Sequence, residues 1–219
     1  MRRFLRDNAL SLTMFGAFLL FWAVQSVSGY HAANADNREH HQPLETYPGY
    51  LASGHFVEAT AENWESEFLQ MSAYVFLTGL LRQRGSPESK PMEGDETDED
   101  PRKARDREDV PWPVRRGGLV LTFYEHSFAL VLFVIFLACF TAHALGGTAE
   151  FNQEQLAHGE QGVSVLRYLT MSQFWFQSFQ NWQSEFLVVG AVALLGIRLR
   201  ERGSPESKPV ATPHGQTGS

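Results

Sequence analysis

Asn63-Trp64-Glu65-Ser66-Glu67-Phe68-Leu69 returns 118 residues later as Asn181-Trp182-Gln183-Ser184-Glu185-Phe186-Leu187. At the same offset Gly85-Ser86-Pro87-Glu88-Ser89-Lys90-Pro91 returns unchanged as Gly203-Ser204-Pro205-Glu206-Ser207-Lys208-Pro209. The alignment needs no gap. Carried toward the N-terminus, the offset pairs Tyr50-Leu51 with Tyr168-Leu169, His40 with His158 and Asn34 with Asn152, and it pairs Leu12, Phe15, Phe18 and Leu19 with Leu130, Phe133, Phe136 and Leu137. Self-similarity at one fixed period marks a duplicated unit. The chain reads as two copies, 1–91 and 126–209, joined by 92–125 and followed by 210–219.

The 219 residues are 43% hydrophobic and 20% charged, an average that suits a soluble domain and hides how the charges are placed. No Asp, Glu, Lys or Arg lies between Asp7 and Asp36, or between Glu125 and Glu150. Each gap contains about 19 mostly apolar residues, enough helix to cross a ~30 Å hydrocarbon layer. Each copy therefore reads as an apolar helix, a polar segment and a shorter apolar helix, which predicts spans at 9–27, 64–81, 127–145 and 182–199. The second and fourth are the weaker spans. From Glu67 to Arg82 is about 22 Å of helix and from Glu185 to Arg198 about 20 Å, both short of the core thickness.

Positive charge supports all four. With four spans, Arg2, Arg3, Arg6, the Lys and Arg residues from Arg82 to Arg116, and Arg198, Arg200, Arg202 and Lys208 share one side, leaving only Arg38 and Arg167 of the 18 basic residues on the other. The positive-inside rule makes the richer side cytoplasmic. The fold class predicted is an all-α integral membrane protein with four transmembrane helices in two parallel tandem two-span repeats. Both termini are cytoplasmic and 28–63 and 146–181 lie outside. An even number of spans per copy keeps the copies in one orientation, unlike the inverted repeats of many transporters. A competing reading, a cleaved signal peptide after Arg2-Arg3-Phe4-Leu5-Arg6, is disfavoured by the internal copy from Ser127, which has no reason to be cleavable. The linker 92–125, with its acidic block and prolines, and the tail 210–219 read as disordered and cytoplasmic.

A formal charge of -7 and the lack of a basic face argue against nucleic acid as a partner. The single Cys139 excludes a disulfide framework or a cysteine-based zinc site. The recurring Asn-Trp-x-Ser-Glu-Phe-Leu, an apolar helix and then Arg-Gly-Ser-Pro-Glu-Ser-Lys-Pro resemble a family of uncharacterised bacterial inner-membrane proteins, a domain of unknown function. The resemblance covers nearly the whole chain. It implies a bacterial cytoplasmic membrane and no activity.

Four residues stand out as a functional polar pair: Glu67 and Glu185, with Asn63 and Asn181, near the outer ends of the short spans. An ionisable group drawn into the apolar layer needs a partner, although snorkelling and local thinning would place these carboxylates at the interface instead. A second feature is aromatic. Val165, Tyr168, Ser172, Trp175, Phe179 and Trp182 fall on one face of a helix, and Trp64 matches Trp182, so this stripe reads as an exterior aromatic interface or an anchoring belt.

His31, His40, His41, His55 and His158 all fall on the outer side. Their spacing recurs only at His40 and His158, so they read as solvated side chains with no metal site and no cofactor. A tandem two-span channel lacks a filter sequence ahead of Trp64 or Trp182, and no catalytic motif argues for an enzyme. The partners expected are the lipid bilayer and another membrane protein or a second copy. The predicted role is structural or interaction-mediating, as an accessory subunit or in envelope upkeep, with a small transporter or proton-coupled carrier using Glu67 and Glu185 as the alternative.

Overall fold

A computed structural model describes residues 2–93 and 99–218. Most of the acidic block expected in the linker lies outside the described residues. Among those described, the chain is all-helical with no strand. The helices are α1 (Arg2–Asp7), α2 (Ala9–Glu39), α3 (Tyr47–Leu51), α4 (Gly54–Leu80), α5 (Trp112–Arg116), α6 (Gly118–Glu125), α7 (Ser127–Ala157), α8 (Val165–Tyr168) and α9 (Ser172–Leu195). Two compact units emerge, one of Met1–Thr60 with Ala142–Thr170 and one of Ala61–Thr141 with Met171–Ser219.

Helices α2 and α7 are each 31 residues long, about 46 Å, and both of their ends lie 118 positions apart. Each continues well past the predicted spans at 9–27 and 127–145. No proline interrupts either. By length and composition α2 and α7 are the two helices among the described residues able to cross a membrane, where the sequence predicts four. The predicted spans 64–81 and 182–199 fall mostly on α4 and α9, running past the helix ends at Leu80 and Leu195, and both helices are long enough but more polar. Glu58, Glu62, Glu65, Glu67 and Gln70 occupy the first part of α4, and Gln173, Gln177, Gln180 and Gln183 that of α9.

The first unit is organised by one side chain used twice. Asn34 donates from Nδ2 to the Glu45 carbonyl at 3.1 Å and accepts the Glu45 N–H on Oδ1 at 2.8 Å. Asn152 does the same with Val163, at 3.0 and 2.6 Å. An amide side chain thus satisfies the donor and the acceptor of one backbone residue where the chain turns back and has no ladder of its own. The short helix that follows is capped alike in both places: Thr46 Oγ1 accepts from Gly49 N–H at the start of α3, and Ser164 Oγ accepts from Arg167 N–H at the start of α8. Backbone then meets backbone where α4 begins. A methyl at Gly54 would sit 2.7 Å from the Gly146 carbonyl oxygen, and one at Gly146 would sit 2.7 Å from the Glu58 nitrogen, an approach only glycine permits.

In the second unit, Ser72 Oγ of α4 donates to the Ala129 carbonyl of α7 at 2.9 Å. The two Gly-Ser-Pro-Glu-Ser-Lys-Pro segments fold into the same hydrogen-bonded loop. Ser89 Oγ accepts from Gln83 N–H at 2.8 Å and Ser207 Oγ from Glu201 N–H at 2.9 Å, while Ser86 and Ser204 accept from the Glu88 and Glu206 N–H groups. Gly85 and Gly203 open the loops at φ of 82° and 84°, left-handed conformations that favour glycine.

The stretch 92–125, read from its composition as a disordered linker, carries α5 and α6. The tail 210–219, read the same way, is tied down: Lys208 Nζ donates to the carbonyls of His214 and Gln216, Thr217 Oγ1 accepts from Gly85 N–H, and Gly218 N–H donates to the Ser86 carbonyl. Composition counts the apolar residues available to a core. It does not count the backbone groups that a repeated loop offers to a polar tail.

Replacing Asn34 by Ala strands a buried N–H and C=O, and the expected cost is about 2 kcal/mol. In thermal unfolding of the detergent-solubilised protein the midpoint should fall by about 4–8 °C, and Asn34→Asp, which keeps the acceptor and loses the donor, should fall by less. Unchanged midpoints in both would show that the clamp contributes nothing.

Candidate functional site

The expected polar pair sits on α4 and α9 of the second unit. Glu67 and Asn63 are exposed, and Glu185 and Asn181 are half-buried. Among the described residues neither Glu67 nor Glu185 makes a hydrogen bond or an ion pair. Asn63 and Asn181 are alike in one respect, since each offers its carbonyl to the serine three residues on, Ser66 or Ser184, at 2.8 Å.

The buried carboxylate is a different one. Glu65 is fully buried, and Trp182 Nε1 donates to its Oε1 at 2.9 Å. The indole is held for this by neighbours on three sides: Phe179 at 5.1 Å between ring centroids, Phe136 at 6.1 Å and Trp175 at 6.4 Å. Glu65 escapes a search for carboxylates present in both copies because its counterpart is Gln183. The signal that would have found it is that very difference, a charge in one copy and an amide in the other, beside a tryptophan present in both.

The predicted aromatic stripe divides. Val165 and Tyr168 lie on α8, Ser172, Trp175, Phe179 and Trp182 on α9, and the chain leaves the helix between Tyr168 and Ser172. Tyr168 is a core residue, fully buried in the first unit, and its hydroxyl donates to Glu58 Oε1 at 3.3 Å. Trp175 and Phe179 remain stacked on α9 with exposed surface, and Trp64 is exposed on α4. Glu58, also buried, was missed for the same reason as Glu65: position 176 in the second copy is Phe.

The histidines resolve into different roles. His40 and His158 each direct Nδ1 at the carbonyl four residues earlier, at 3.1 and 2.8 Å, and so finish α2 and α7. His55, near the start of α4, lies 3.5 Å from Glu150 Oε1. The Glu150 hydrogen bond holds the His55 pKa above its ordinary value of about 6.5, against the opposing effect of partial burial. His143 is fully buried on α7. Among the described residues no group of three or more His, Cys, Asp or Glu side chains has a metal-holding arrangement.

Trp182→Phe keeps the ring and removes the donor to a buried carboxylate, at an expected cost of about 1.5–3 kcal/mol, whereas Glu67→Gln should stay within about 0.5 kcal/mol. Denaturant unfolding of both variants distinguishes them; equal losses would mean that Glu65 does not depend on the indole. For His55 the folded pKa is the higher one, so its contribution is fully present below the unfolded pKa and is lost as pH rises through the folded value. The side chain is half exposed, and the contribution should be no more than about 0.5 kcal/mol. An NMR titration should place the His55 midpoint above that of the same residue in Glu150→Gln; coincident midpoints would mean that the pair does not form.

No curated protein and no solved structure matches the chain. One protein family does, over residues 1–219. The chain belongs to DUF6766, a family defined by a domain of unknown function.

Proposed function

We propose that the chain is a four-span protein of the bacterial cytoplasmic membrane, a tandem of two parallel two-span repeats, whose role is structural or interaction-mediating: an accessory subunit or a component of envelope upkeep. The observation that carries the membrane part of this reading is the inverted polarity of α2. Its large apolar side chains point outward, Phe15 being 69% and Phe21 70% exposed, while its buried residues are Ser26, Asn34 and Asn37. A core helix of a soluble protein is arranged the other way round, and an apolar surface of this extent calls for lipid or a partner protein. The apolar part of α7 is likewise mostly uncovered.

Two further features support the finer statement. The matching ends of α2 and α7 and the matching bonds of Asn34 and Asn152 are what a duplicated unit would produce. The short helices α4 and α9 are proposed to cross as the second and fourth spans because the basic residues after each then stay on the cytoplasmic side. In this arrangement 28–63 and 146–181 face the exterior. Self-association or another membrane protein would cover what lipid does not. Nothing favours a carrier working through Glu67 and Glu185.

Reporter fusions after Pro91 and near the C-terminal end should read cytoplasmic, and fusions near Glu45 and Gly159 exterior. An exterior reading after Pro91 would remove α4 as a span. Crosslinking and affinity capture from native membranes should give a self-assembled species or one stoichiometric membrane partner. Flux in proteoliposomes that disappears in Glu67→Gln/Glu185→Gln would overturn the structural role in favour of a carrier.

A further inference from the structure

Within the first unit, a cavity of about 320 Å³ opens beside the C-terminal part of α2. Its walls come from α2, α3, the start of α4 and the second half of α7, and four of the side chains that line it are carboxylates: Asp36, Glu45, Glu150 and Glu154. The titratable base that lines it is His55, already engaged by Glu150. An acidic patch alone would mean little, because exposed carboxylates are normally satisfied by water. Two observations separate this cavity from such a patch.

The first is Glu45. Its Oε2 is shut away from solvent and has no hydrogen-bond partner among the described residues, a costly state for a carboxylate oxygen unless something supplies a donor. The second is Tyr50, which lines the same cavity and is only 2% exposed. Its counterpart 118 positions later, Tyr168, gives its hydroxyl to Glu58. The Tyr50 hydroxyl itself has no hydrogen bond among the described residues. Its position is set by α2, for a methyl group at Gly29 would collide with the hydroxyl. Burial, then the carboxylates of Glu45 and Glu150, push the Tyr50 hydroxyl pKa above its ordinary value.

We infer that this cavity is a binding site for a small aliphatic diamine, whose ammonium groups would be held by Glu45, Glu150 and the Tyr50 hydroxyl, with Asp36 and Glu154 at the rim. A primary ammonium carries three N–H donors and no acceptor, the complement of a wall whose open positions are carboxylate and hydroxyl oxygens. Two cationic nitrogens suit the charge, because four carboxylate side chains beside one histidine leave an excess that a single ammonium does not neutralise. The volume suits a short chain: at about 30 Å³ for each water-sized group it holds on the order of ten non-hydrogen atoms.

The test is isothermal titration calorimetry of the full chain in nanodiscs of zwitterionic lipid, which offers no anionic headgroup to the amine, with 1,4-diaminobutane as the probe and calcium chloride as the competitor. Saturable one-site binding with a Kd of about 1 mM or tighter is expected, weakened at least tenfold in Glu45→Gln/Glu150→Gln and a few-fold in Tyr50→Phe. Glu154→Gln lies on an exposed helix face and is not expected to disturb folding, so a two- to threefold loss there serves as the second reading should the buried double variant lose its helical circular dichroism. Absence of saturable binding, unchanged affinity in all these variants, or calcium binding more tightly than the diamine at the same residues would each overturn the proposal.

Discussion

A helix of 31 residues that ends and must turn back leaves backbone N–H and C=O groups without partners, and in this protein one asparagine near each such end supplies both. Asn34 holds residue 45 and Asn152 holds residue 163, eleven positions on in each case. Everything that follows in the first unit is placed by that grip. The capped turns α3 and α8 start next, and they carry Tyr50 and Tyr168 into position against Gly29 and Gly147, where a side chain larger than hydrogen would meet the tyrosine hydroxyl. Were the turn released, both tyrosines and the walls they form would lose their register.

The polarity of the long helices dictates the second theme. When apolar side chains face outward, polar ones face inward, and inside they must be satisfied. The protein pairs buried carboxylates with aromatic donors: Glu58 with the Tyr168 hydroxyl and Glu65 with the Trp182 indole. Each is also one-sided. At the offset of 118 the positions of Glu58 and Glu65 are taken by Phe176 and Gln183.

The loops after α4 and α9 show how a polar motif can be structural. Ser86, Ser89, Ser204 and Ser207 close two small rings on their own backbones, and the tail after Pro209 adds its carbonyls and Thr217 to them. Burial, then the facing Glu206 carboxylate, pushes the Glu88 carboxyl above its ordinary range. Seven residues repeated without change are here the signature of a conformation.

The amino-acid order alone was enough for the helical class and for two long apolar helices, where it predicts four spans, because both rest on local periodicity and on where charge is missing. It also pointed to Asn34 with Asn152, and Trp64 with Trp182, as positions present twice. It did not single out the buried glutamates. Glu67 and Glu185 recur and are not buried together, while Glu58 and Glu65 occur once and are buried, and only the folded chain could decide that, since burial depends on which face of α4 meets Tyr168 or Trp182. The ordering of the tail at Lys208 and Thr217, and the cavity at Glu45 and Tyr50, are likewise tertiary: they depend on groups brought together from positions as far apart as 85 and 217, or 36 and 150, and no window of sequence contains both partners.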